Sequence, residues 1–199
     1  MRIAGISGIR TGLLKALLFV AIIMFVAESV FSERETVTEC DGVEISFVYQ
    51  HASTMASNQL AVWIENEEGA LVRTLMATDF TAGRRGYRNR EAALPAWVEA
   101  ADPESMTDQE IDAVSCATPI QGPLTYVWDL TNDLGEPVPA GIYLIRVEGT
   151  LYWESDTVYT AVVDLAEPAD EIPLSVERTA PDAHENENMI SEVTVRAFR

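Results

Sequence analysis

The sharpest candidate for chemistry in this chain is Asp112-Ala113-Val114-Ser115-Cys116-Ala117-Thr118, a small-residue run with hydroxyls at Ser115 and Thr118 and a carboxylate at Asp112. A tight turn that presents a hydroxyl suits a phosphoryl acceptor, because the donor must approach the backbone closely. Cys116 strains that reading: if the turn needs positive φ, glycine fits and cysteine does not. The structural alternative is a small-residue turn that leads into a strand at Leu124. A second cluster is cationic. Arg84, Arg85, Arg88 and Arg90 form the only basic patch of an acidic domain, with Tyr87 and Trp97 near them in sequence. Guanidinium groups hold carboxylate or phosphate bidentately. The patch therefore reads either as an anion or partner site, with the two aromatics as stacking surface, or as internal pairing with Glu91, Glu99 or Asp102.

Cys40 and Cys116 are the only cysteines. A bridge between them would close a loop of roughly 75 residues and remove about 4 kcal/mol of unfolded-state entropy; two separate thiols are the alternative. No CxxC redox motif is present. His51 and His184 stand far apart with no HxH or HExxH spacing, so no zinc site of standard pattern is expected. Asp129, Asn132, Asp133 and Glu136 could offer oxygen ligands to calcium, in a calcium-stabilised assembly or adhesion module. Turn chemistry accounts for the same four residues. No GxSxG, P-loop or GxGxxG sequence occurs, and Ser53 and Thr54 have only His51 as a nearby base. No catalytic constellation emerges, and the expectation is a domain without activity of its own.

These residues must be positioned by a chain that begins with an export element. Arg2, Arg10 and Lys15 precede an uncharged apolar run from Ala16 to Ala27, followed by small residues at Ala27-Glu28-Ser29 or Val30-Phe31-Ser32. This is the pattern of a secretory signal, or of a retained N-terminal anchor, over residues 1–32. The run is short of the roughly 20 residues that comfortably cross a bilayer. Either reading places the domain in the periplasm or another extracytoplasmic compartment, where cysteines oxidise. Membrane attachment would come only through this segment. The whole chain has 199 residues and a formal net charge of -19. Without residues 1–32 it keeps 10 basic and 31 acidic residues, and Lys15, the only lysine, is gone. Such a surface repels nucleic acid and suits a solvated domain or a cationic partner.

Residues 33–42 read as a linker and 43–199 as one domain. Val43–Tyr49 and Gln59–Glu65 alternate apolar and polar residues, as half-buried strands do. Asn66-Glu67-Glu68-Gly69 is a turn to a hairpin partner over 70–75. Further strands are expected over 124–130, 141–149, 156–165 and 189–198, with 166–188 as an acidic, Pro-rich loop or excursion. An insertion over about 81–122 carries the helices. One spans 91–101 with Pro95 in its first turn and Asp102-Pro103 at its end. The next opens with a capping box at Thr107-Asp108-Gln109-Glu110. The sum is a mainly β, Ig-like antiparallel sandwich.

Three segments taken together resemble the bacterial family of predicted periplasmic proteins called domain of unknown function 2271. They are Gln59–Glu65 with Val72-Arg73-Thr74-Leu75, then Ala93-Leu94-Pro95-Ala96-Trp97, then Asp112–Pro119 running into Tyr126-Val127-Trp128-Asp129. The resemblance spans about 43–165 and implies an envelope location and a sandwich fold, with no activity. Trp128–Tyr143 also resembles the Ig-like domain of flagellar hook-capping proteins, with Trp128 and Tyr143 as core anchors. Asp112–Thr118 resembles the acceptor sequence of exported flavoproteins, in which a transferase links FMN phosphate to the final hydroxyl. That likeness would assign Asp112, Ser115 and Thr118 to the attachment motif and make FMN a guest for the arginine patch. It would also bring a flavin transferase or membrane reductase among the partners. Cys116 and Pro119 depart from its usual pattern.

Overall fold

The computed structural model describes residues 38–51, 58–83, 86–151, 155–179 and 189–199. The expected signal or anchor over 1–32 and the first half of the linker lie outside the described residues. Among the described residues, nine strands form two sheets. The first, in the order β5-β1-β9, joins β5 (Gly122–Trp128), β1 (Gly42–Tyr49) and β9 (Ile190–Phe198). The second has the order β4-β3-β2-β6-β7-β8. It contains β4 (Ser115–Cys116), β3 (Leu71–Thr78), β2 (Gln59–Asn66), β6 (Ile142–Thr150), β7 (Asp156–Asp164) and β8 (Leu174–Thr179). All pairings are antiparallel except β3 with β4. The expected mainly β sandwich with a helical insertion is what the chain forms.

The alternating residues of β1 explain the inner core. Val43, Ile45, Phe47 and Tyr49 point one way and meet Leu60, Val62 and Ile64 of β2, Ile145 and Val147 of β6, and Trp128, Val195 and Ala197. Trp128 meets Tyr143 edge to face, 5.0 Å between centroids, which fulfils the expectation that both anchor the core. β2 differs from β1 in being buried on both sides. Its other face, with Ala61 and Trp63, carries a second apolar cluster built with Ala77, Ala82, Leu94, Trp97 and Ala101. The helical insertion thus forms a third layer on the outer face of the six-stranded sheet.

Two short helices build that layer, α1 (Pro95–Ala101) and α2 (Asp108–Val114). Pro95 opens α1, where its missing N–H is no loss. The helix therefore starts four residues later than the sequence pattern suggests. Leu94 precedes it at φ 53, with no side-chain cap, and Asp102 closes it at φ 43. The capping box of α2 forms in full between Thr107 and Glu110. Upstream, Gly86 begins a single 3₁₀ turn to Arg88. A Cβ there would stand 1.9 Å from the Phe80 carbonyl oxygen, so only glycine fits.

Two elements depart from expectation. The stretch 166–188 is not wholly a loop, because Leu174–Thr179 adds an edge strand to β7; the residues after 179 up to 188 lie outside the described residues. The second departure is β4, a two-residue parallel ladder in which Ser115 pairs with Ala77 and Cys116 with Thr78.

Candidate functional site

The Asp112–Thr118 run is not a tight turn. Its first half is the last turn of α2, and Ser115 leaves the helix in an extended conformation, φ -76 and ψ 132. Ser115 and Cys116 then lie flat against β3. Cys116 is not among the residues of positive φ, so the strain expected for it does not arise. The three motif residues face different ways. Asp112 is exposed on α2 and Thr118 is exposed beyond β4. The Ser115 Oγ is buried and has no hydrogen-bond partner among the described residues. It packs at Gly83, where an added Cβ would stand 3.1 Å from it and 2.2 Å from Asp79 Oδ1.

Of the arginine patch, the described members Arg88 and Arg90 point to different places. Arg84 and Arg85 lie outside the described residues. Arg88 is exposed, lies over the Tyr87 ring and pairs with Glu104 at 3.0 Å, not with Glu91, Glu99 or Asp102. Arg90 turns inward, only 8% exposed, and donates to the Leu151 carbonyl at 2.9 Å. Burial lowers its pKa. Trp97, expected as stacking surface, is fully buried and its indole N–H donates to Thr74 Oγ1 at 3.2 Å. A helix placed over a sheet needs that ring inside, which a sequence window does not reveal.

Of the two readings of Cys40 and Cys116, the fold has the separate thiols. Cys40 is buried in the inner core where the chain enters β1, and Cys116 is half-buried at the opposite sheet's edge. Burial raises both thiol pKa values, aided at Cys116 by the charge of Asp79. Both are thereby less reactive than an ordinary cysteine.

The acidic loop after β5 is held by its own turns. Asp129 Oδ1 accepts from the Thr131 N–H at 3.2 Å and from Arg73 at 2.6 Å; Arg73 also reaches the Thr131 hydroxyl. Asn132 Oδ1 accepts from the N–H groups of Leu134 at 2.9 Å and Glu136 at 3.0 Å. Asp133 Oδ1 accepts from Thr74 N–H at 3.2 Å. The hydrogen bonds from Thr131, then the Arg73 charge, lower the Asp129 pKa, whereas burial raises that of Asp133. Among the described residues no group of three or more His, Cys, Asp or Glu is arranged to hold a metal.

Between this loop and the β2–β3 turn opens a cleft of about 570 Å³. Glu67, Glu68 and Asp133 supply its acids, and Leu71, Leu134 and Ile142 its apolar wall. Leu134 is 81% exposed. The sequence indicated a turn here but gave no sign of the concavity, which exists only because the two loops converge.

A second feature escaped the sequence altogether. Glu148 on β6 is 0% exposed and Asp156 on β7 is 7% exposed, and the strand register sets the two acids diagonally on the same face of the sheet. Glu148 Oε1 accepts from Ala96 N–H at 2.9 Å and Oε2 from Trp97 N–H at 2.8 Å. Those are two of the amide groups that every helix start leaves unsatisfied. Burial first, then the Asp156 charge, raises the Glu148 pKa well above the ordinary range; burial raises that of Asp156 too. Glu148 lies in the outward set of β6 and reads as a solvent-facing residue. The one available signal is negative: Leu94, which precedes α1, has no capping side chain.

The model of the predicted periplasmic protein family DUF2271 matches residues 42–178. This chain belongs to that family. The location expected from the sequence, periplasmic, is therefore that of the family, whose function is unknown. The match covers both sheets apart from β9, together with the insertion, the cleft and the Glu148–Asp156 pair. No curated protein and no solved structure matches the DUF2271 chain significantly.

Proposed function

We propose that this DUF2271 domain is a non-catalytic interaction module of the envelope, an accessory to other envelope or membrane proteins, whose cleft receives a cationic partner. The cleft carries the reading: an open concavity that combines Glu67, Glu68 and Asp133 with the exposed apolar side chains of Leu134 and Ile142. An arginine or lysine of a partner would meet the acids, and a neighbouring aliphatic residue would cover Leu134. The net charge of -19 would steer such a partner at long range, and the cleft would fix its register. The polar groups in and beneath the insertion support the same assignment by contrast, since Arg90 and Glu148 are spent on holding the fold.

The test is fluorescence anisotropy at physiological salt with a short labelled peptide of arginines around one leucine. Glu67→Gln with Glu68→Gln should weaken binding about tenfold, which is about 1.4 kcal/mol. The control carries Glu171→Gln with Glu177→Gln, the same charge change on an exposed surface away from the cleft. Equal weakening by both pairs would mean attraction by net charge alone and would overturn the cleft.

A second reading keeps the resemblance of Asp112–Thr118 to flavin acceptor sequences: an electron carrier with FMN on Thr118. Its support is the exposure of Thr118 just past a strand that pins Ser115 and Cys116 to the sheet. Co-expression with a periplasmic flavin transferase should add the mass of one FMN and visible absorbance, both lost in Thr118→Ala. An unmodified mass would dismiss the carrier.

A further inference from the structure

We propose that the helical insertion is a proton-latched cover: one proton shared by Glu148 and Asp156 holds α1 on the outer face of the six-stranded sheet, and its loss lifts α1 while the sandwich stays folded. The start of α1 has no cap of its own, and its amide groups are taken over by the sheet. Leu94 N–H donates to Thr150 Oγ1 at 3.1 Å, and the Thr150 hydroxyl lies 3.1 Å from Asp156 Oδ1. Pro95 has no N–H to place. Ala96 and Trp97 donate to the two oxygens of Glu148, the diagonal neighbour of Asp156 on the adjacent strand. The chain of contacts runs from Leu94 through Thr150, Asp156 and Glu148 back to Ala96 and Trp97. Strand geometry explains the cluster: Thr150 is opposite Asp156, and Glu148 is opposite Val158, so all three side chains emerge from the same face.

Two carboxyl groups buried as neighbours are stable together only when one of them carries a proton. At these positions, 0% and 7% exposed, solvent cannot screen a second negative charge. The neighbouring cations have other engagements. Arg146, two residues before Glu148 on β6, pairs with Glu65 of β2 at 3.3 Å, donates to Thr160 of β7 and lies over Trp63. Arg90, ahead of α1, donates to Leu151. On α1 itself Glu99 is exposed, and on β8 Glu177 and Arg178 are exposed. Gln59 of β2 is uncharged and bonds Thr78 and Thr81.

The sign of the pH effect follows. Closed, the pair keeps its proton above the ordinary carboxylate range; open, both groups meet water and release it there. The opening constant therefore rises with pH, by up to tenfold per unit once the open-state carboxyls ionise. The two apolar clusters make a partial opening feasible. The one under the cover, with Trp63, Ala77, Leu94 and Trp97, is separate from the one between the sheets.

Amide hydrogen exchange on the full chain from about pH 5 to about pH 7, corrected for intrinsic exchange, tests this. The amides of 96–101 should show an opening constant that rises steeply with pH while those of β1 and β5 do not. Glu148→Gln keeps one acceptor oxygen for the helix, offers an amide N–H to Asp156 and has no proton to lose, so the slope should fall. Asp156→Asn leaves Glu148 as the single buried acid, should also reduce the slope, and serves if the first variant does not fold. A flat opening constant in the wild type would overturn the latch. So would an undiminished slope in either folded variant, or opening of 96–101 only together with β1 and β5.

Discussion

Strand β6 joins two regions that use acids in opposite ways. At its Ile142 end, the residues Asp129, Asp133 and Glu136 are exposed in turns, and Asp133 accepts from Thr74 of β3. At its Thr150 end, Glu148 and Asp156 lie beneath α1. In the first region each acid is held by a backbone N–H, by the side-chain amide of Asn132 or by Arg73, close in sequence or across one strand. In the second, the donors come from a helix some 50 residues away, and the second carboxyl is itself part of the network. Local turn chemistry makes an acid an unconditional ligand of its loop. Burial under another element makes it conditional, stabilising only while a proton is present.

The largest effect should come from breaking the covered end. Trp97→Ala empties a fully buried indole site and removes the bond to Thr74. It should cost about 3–5 kcal/mol, roughly 10 °C in melting temperature for a domain of this size. Glu148→Ala comes next, leaving the Ala96 and Trp97 amides buried without acceptors. About 2–3 kcal/mol is expected, measured by urea unfolding followed by tryptophan fluorescence. A loss from Glu148→Ala no larger than from Glu136→Ala at the open end would erase the distinction between the two regions.

The sequence showed the open end far better than the covered one, and the reason is physical. Thr107–Glu110 and Asn66–Gly69 announce themselves because caps and turns are satisfied by residues within four positions. β1 and β6 show because side-chain alternation is a property of a single strand. β4 was missed because two residues have no period, and β8 because its solvent-exposed side chains hide the pattern. Trp97 and Arg90 stay open in the sequence between a binding surface and internal packing, because aromatic and cationic residues near a loop fit either until something is placed beneath them. The Cys40–Cys116 pairing is undecided in the sequence for a related reason: compartment chemistry permits a disulfide, but only the fold decides whether the two sulfurs meet.

The regions should also part in their response to pH. A raised folded-state pKa, as at Glu148 and Asp156, gives stability that is complete below the ordinary carboxylate range and lost as pH rises through the folded value. A lowered one, as at Asp129 and Glu110, gives stability present above that range and lost as pH falls. Denaturation midpoints at about pH 5, 7 and 9 should fall on the alkaline side, and Glu148→Gln should flatten that limb alone. Asp129→Asn should soften only the acid limb, and by less, because its partner pair is solvent-screened.

The smallest expected effect is the most pointed test of the open end. If the oxygens of Asp129, Asn132 and Asp133 serve only as turn acceptors, a chelator has nothing to remove, and melting with and without excess EDTA should give the same midpoint. Arg73→Ala, by contrast, takes away the cation that Asp129 now holds and should cost about 1 kcal/mol. The two results together separate the alternatives. A chelator effect that grows in Arg73→Ala would mean that the guanidinium occupies a place a divalent cation also fits, and the loop would become conditional like the covered pair. No chelator effect in either protein would leave the loop a fixed rim of the cleft, its charge available to whatever cationic partner docks there.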